Sequence, residues 1–123
     1  MTATLVFFHS YAARVLVLFA VLLALWGTVQ YFRNRPLSGG FRSAYLIMAG
    51  VTVLQGLFGL SALVTGGDPR EGILHMVYGV FAVLFLPGAY LYAHGGTARR
   101  ETVILAGACW IVTIAYIRGI GTG

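Results

Sequence analysis

Lysine is absent from this 123-residue chain, and only three residues are acidic: Asp68, Glu71 and Glu101. Charged residues make up 9% of the sequence, against about 25% in a soluble domain. So little charge excludes a water-soluble fold. The shortage of carboxylates also excludes carboxylate-rich metal sites and paired-carboxylate catalysis. Neither a Ser–His–Asp set nor a phosphate-binding glycine loop is present. The single cysteine, Cys109, rules out an internal disulfide and any multi-cysteine metal or iron–sulfur site. Set between Ala108 and Trp110, it reads as a small packing residue.

What is abundant is hydrocarbon, at 59% of residues. Four stretches, roughly 4–32, 42–65, 70–93 and 99–119, meet the length of about 20 mostly apolar residues that a membrane helix needs. The links between them carry the glycine, proline and small polar residues that end helices. Links this short make successive helices antiparallel. The expected fold is therefore all-α, an integral-membrane up-down four-helix bundle forming one domain over residues 1–123. No basic residue precedes the first apolar stretch, which is long enough to span, so it is expected to be retained rather than cleaved as a signal peptide.

The formal charge of +5 comes entirely from arginine. Arg33, Arg35, Arg42, Arg99 and Arg100 belong to the first and third links, whereas the second carries only Arg70, beside Asp68 and Glu71. By the positive-inside rule the first and third links are cytoplasmic and both termini extracytoplasmic, as in a prokaryotic inner membrane. Basic charge in this pattern is a topological signal, and no nucleic-acid partner is expected. Asp68, Pro69 and Glu71 form a helix start, as cap, first helical residue and capping-box partner.

Against this background His9 and His75 stand out, because an ionisable residue inside a span points to function. His75 falls roughly 9 Å below the outer end of the third helix. His9 falls at a similar depth if the first begins near Thr4. Two imidazoles at one depth on parallel helices suit a metal held from both sides, most naturally haem iron. Small residues share their faces: Ala13, Ala20, Ala24 and Gly27 follow His9, while Gly79, Ala82 and Ala89 follow His75. Gly59 and Ala62 continue the stripe on the second helix, in register with Gln55. Such stripes also mark plain helix packing. Arg14, Arg70 and Arg118 all lie in the outer half, where arginines would pair with haem propionates. Arg70 and Arg118 could instead snorkel to headgroups, whereas Arg14 lies deeper and is expected to have a protein or cofactor partner. Gln55 is the other polar residue at depth, positioned for a backbone carbonyl, a haem edge or a quinone-like ligand. Pro87 should free the Val83 carbonyl and kink the third helix. His94 lies about 28 Å further along and finds no partner histidine, so it is expected to bind no cofactor.

The sequence resembles one four-helix half of the haem A synthase family. The likeness covers roughly residues 7–90 and is carried by Phe8-His9 with Ala13, by Leu54-Gln55-Gly56-Leu57-Phe58-Gly59, and by Leu74-His75 with Val77 and Tyr78. It implies a haem-binding bundle with His9 and His75 as the ligands. The synthases have two such units, a basic residue where Ser10 stands, and a long extracytoplasmic loop with cysteines. This chain has one unit and no such loop, so synthase activity is not expected of it.

Two functions remain open on sequence. The first is a b-type cytochrome-like electron-transfer subunit with one haem b between helices 1 and 3. The second is an accessory subunit of a respiratory or photosynthetic complex, either cofactor-free or binding bacteriochlorophyll through single histidines. Other membrane subunits, or a second copy, are the expected partners in the bilayer. An enzyme ranks third, and transport lacks its usual broken helices and charged pairs.

Overall fold

The computed structural model of the chain describes residues 2–68 and 72–123. Among them the regular structure is entirely helical: α1 Thr2–Phe32, α2 Gly39–Val64, α3 Gly72–Ala93 and α4 Ala98–Thr122. All four are long and apolar enough to cross a membrane, as an integral membrane protein requires.

Local chemistry sets the helix ends. Asn34 at φ 54° terminates α1, with Asn34 N–H bonded to the Tyr31 carbonyl and Arg35 N–H to that of Gln30. Gly66 at φ 114° does the same for α2, with Gly67 N–H reaching back to the Ala62 carbonyl at 2.6 Å. Both are left-handed caps that satisfy otherwise orphaned carbonyls. Expected boundaries are corrected on three helices. α1 begins at Thr2 rather than near residue 4. α2 begins at Gly39, three residues before the expected 42, because Ser38 caps it, its Oγ accepting from Phe41 N at 3.1 Å. α4 begins one residue early behind the Thr97 cap and runs to Thr122, beyond the expected 119. The glycines at 119 and 121 do not stop it, since Thr122 Oγ1 donates to the Arg118 carbonyl and Gly123 N–H to that of Gly119. The expected start of α3 at Pro69, Arg70 and Glu71 lies outside the described residues. Pro87 sits within α3, which continues through it.

α1 packs against α2 and α4, and α3 packs against the same two helices, leaving α1/α3 and α2/α4 as diagonals. The α1/α4 seam is the most extensive and α2/α3 the least. Small residues explain the first: a Cβ on Gly27 would come within 2.9 Å of Ala106 Cβ, so the two backbones run close. Trp110 Nε1 donates to Thr28 Oγ1 across that seam.

The packed core is uneven along the helices. Phe41, Tyr45, Met48, Leu86, Leu105 and Val112 are fully buried together. The hydroxyls among them are satisfied, with Tyr45 donating to the Leu86 carbonyl at 2.6 Å and Thr52 Oγ1 meeting Tyr116 OH at 2.5 Å. Arg42 and Glu101 form a bidentate ion pair at one end of this core, while Arg99 bonds Asn34 and stacks on Tyr31. Towards the other end packing thins. On α1 no residue from Ala3 to Val15 is buried, and among the described residues past Thr52 on α2 and past Tyr116 on α4 only Ala62 and Thr122 are. The outer faces are apolar, with Ile73, Val64 and Phe32 more than three-quarters exposed. Lipid is the solvent such a surface suits.

Candidate functional site

The thin end of the core holds the histidines. His9 on α1 and His75 on α3 belong to diagonal helices, yet their rings meet, with centroids 5.6 Å apart and planes inclined by 68°. Their Nε2 atoms are 3.4 Å apart. Each ring is anchored from the opposite edge by a different neighbour. His9 Nδ1 lies 3.1 Å from the backbone oxygen of Gln55 on α2. His75 Nδ1 lies 3.0 Å from the backbone oxygen of Gly119 on α4, with Thr122 Oγ1 at 3.4 Å. All four helices therefore contribute to one small constellation.

The anchoring decides the chemistry. A carbonyl oxygen only accepts, so both Nδ1 atoms carry the proton and donate it. In neutral imidazole this leaves Nε2 as a bare lone pair on each ring, and the two lone pairs face one another. At 3.4 Å they repel unless something electropositive lies between them, such as a proton or a metal ion. An imidazole whose second nitrogen donates to a carbonyl is also the usual form of a metal-bound histidine.

Neighbouring atoms make room for the rings. A Cβ on Gly59 would stand 2.8 Å from His9 Cε1, so only glycine leaves that space. Gln55 ties to His9 a second time, its Nε2 donating to the His9 carbonyl at 2.6 Å. Its Oε1 is buried and has no hydrogen-bond partner among the described residues. An orphaned acceptor beside the rings is costly, by about 1–3 kcal/mol, unless a donor reaches it.

The arginines separate. Arg118 flanks the pair: its Nε donates to Tyr78 OH at 3.2 Å, and Tyr78 lies one turn from His75. Arg14 is exposed on the same face of α1 as Tyr11 and Leu18, with no hydrogen bond or ion pair among the described residues. Arg70 lies outside the described residues. His94 is exposed just past the end of α3, at the Arg42–Glu101 end.

Gly119 and Thr122 are the neighbours of His75 that sequence reading missed. Gly119 acts through its backbone oxygen, which leaves no side-chain signal, and Thr122 falls beyond the expected end of α4. Among the described residues no group of three or more His, Cys, Asp or Glu side chains converges on a point. The site therefore presents two imidazole nitrogens that face one another. Compared with protein families, with curated proteins and with solved structures, the chain matches none.

Proposed function

We propose that the chain is an up-down four-helix membrane bundle, with both termini extracytoplasmic, that holds one haem b between His9 and His75. Its role is one-electron transfer, as a cytochrome-like subunit working with other membrane proteins. The observation that carries the reading is the facing pair of Nε2 atoms at 3.4 Å, each ring anchored through Nδ1 to a backbone oxygen.

The donor set suits haem better than a bare ion. A protein-held zinc site takes about three or four ligands, and only two converge here. Haem needs just axial ligands from the protein, because its macrocycle supplies the rest. A magnesium pigment would engage one imidazole and leave the other unused, which the facing geometry disfavours. The facing nitrogens, 3.4 Å apart, would have to part to admit an iron and its macrocycle between them. The thin packing around them and the weak α2/α3 seam allow that movement.

Within this reading the chain's residues have separate tasks. His9 and His75 would hold the iron, and the Gln55 and Gly119 carbonyls fix their tautomers. Gly59 leaves space for the His9 ring. Arg118, braced by Tyr78, supplies positive charge for the propionates. When bound, the haem supplies the one-electron couple. Ligation by both histidines would suit electron transfer rather than oxygen chemistry.

The test is the absorption spectrum of the purified protein, oxidised and dithionite-reduced. Six-coordinate low-spin haem is expected, and His9→Ala or His75→Ala should each abolish it. A protein that takes up no haem, or a low-spin spectrum that survives both substitutions, would overturn the reading.

A further inference from the structure

Far from the histidines, two open clefts lie on successive turns of the α3/α4 seam. The first, of about 380 Å³, lies at the arginine-rich end and is lined by Arg42, Tyr90, Ala93, His94 and Glu101 among others. The second, of about 460 Å³, is an open and almost wholly apolar groove between Phe85, Ala89 and Tyr92 on α3 and Ile104, Gly107 and Ile111 on α4. Ala93 lies one turn beyond Ala89, and Glu101 one turn before Ile104. Polar space at the helix ends is thus followed directly by apolar space deeper in.

A cation stands at the mouth of the apolar groove. The Arg100 guanidinium lies 4.6 Å from the centre of the Tyr92 ring and donates to the carbonyls of Tyr92 at 2.9 Å and Ala93 at 3.4 Å. Gly96 permits this fold-back, since a Cβ there would stand 2.6 Å from an Arg100 nitrogen. Two carbonyls do not exhaust a guanidinium, which has five N–H donors in all. Charge at this end is lopsided: Arg33, Arg35 and Arg99 join Arg100, while the one acid, Glu101, is already neutralised by Arg42. An arginine with spare donors at the mouth of an apolar groove, at an end of the bundle with excess positive charge, matches an amphiphile with a negative head.

We infer that the α3/α4 seam is a binding site for an anionic phospholipid, with its phosphate at Arg100 and an acyl chain in the groove beside Gly88 and Gly107. Clustered basic residues at a membrane face attract anionic headgroups, and the groove gives the chain a fixed seat. The site is independent of the histidine pair, at the opposite end of the bundle.

Native mass spectrometry tests the inference on full-length protein, released from bilayers of equimolar phosphatidylglycerol and phosphatidylcholine. Wild type should retain phosphatidylglycerol over phosphatidylcholine by about fivefold or more, the selectivity of about one arginine at a headgroup. Arg100→Gln should bring the ratio towards one. Nothing lies within 4 Å of a Cβ at Gly107 or Gly88, so Gly107→Leu should fill the groove and expel both lipids with helix content unchanged. Gly88→Leu, from the facing helix, should do the same and serves if Gly107→Leu folds poorly. Equal retention of the two lipids by wild type, or unchanged retention in both groove-filling variants, would overturn the inference. So would a wild-type dimer that either variant dissociates, because the groove's occupant would then be a second copy of the chain.

Discussion

Gln55 grips His9 twice: its backbone oxygen takes the Nδ1 proton at 3.1 Å, and its side-chain Nε2 donates to the His9 carbonyl at 2.6 Å. The first bond orients the ring and comes from the main chain, so no substitution removes it directly. The second locks α1 to α2. Gln55→Leu should therefore keep the histidine orientation and destabilise by only about 1 kcal/mol, because it removes the orphaned Oε1 together with the bond. Gln55→Glu should cost more, about 2–3 kcal/mol, by setting a carboxylate against the His9 carbonyl. Thermal unfolding in detergent ranks the two, and equal midpoints would show that the amide contributes nothing.

Gly59→Ala should disturb the histidine pair, since its Cβ would fall 2.8 Å from His9 Cε1. Gly56→Ala meets only a Val83 methyl at 3.3 Å, which moves easily. The expected outcome is loss of the low-spin haem spectrum in the first variant and its retention in the second. Indistinguishable spectra would show that the Gly59 contact does not position the ring.

Gly27 tests the main packing seam. Its replacement by Leu must push α1 away from Ala106, at a cost of about 1–3 kcal/mol for an overpacked contact. Gly50→Leu, where nothing lies within 4 Å of a Cβ, should be neutral. A chemical or thermal unfolding curve distinguishes them.

Arg118 and Arg14 should differ in their influence on the haem potential. Arg118 is bonded to Tyr78 beside His75, whereas Arg14 sits on an exposed face of α1. A positive charge near the iron favours the reduced state, so Arg118→Gln should lower the midpoint potential and Arg14→Gln should leave it nearly unchanged. Potentiometric titration decides, and the opposite ranking would move the propionates to the α1 side.

The orientation is testable without haem. A reporter active only in the cytoplasm should be silent when fused at Gly123 and active when inserted in the third link, near Gly95. The reverse pattern would invert the topology drawn from the arginines.

The four helices were legible because length and hydropathy suffice for membrane spans. Their ends were legible only in part. Gly39 and Gly40 read as a linker, yet Ser38 caps a helix through them, since one side-chain bond to Phe41 N outweighs two poor helix formers. The equal depth of His9 and His75 follows from counting residues, and the rings do meet. What holds them in place was less visible. Gly119 acts through a main-chain oxygen, and Thr122 joins only because α4 runs past two glycines. The position of Arg14 turns on helix rotation: α1 is apolar nearly all round, so hydropathy alone does not say which side faces lipid.

The uneven core gives the molecule a mechanical asymmetry. α1 is buried in the core from Leu16 onward and unburied before it, where Gln55 ties it to α2 at His9, so its first turns, together with that tie, act as a lever about Leu16. His9 lies seven residues out, about 10 Å of helix from the pivot. Such a pivot leaves the clenched half of the protein undisturbed, and the histidines close like the tips of tweezers around whatever they receive.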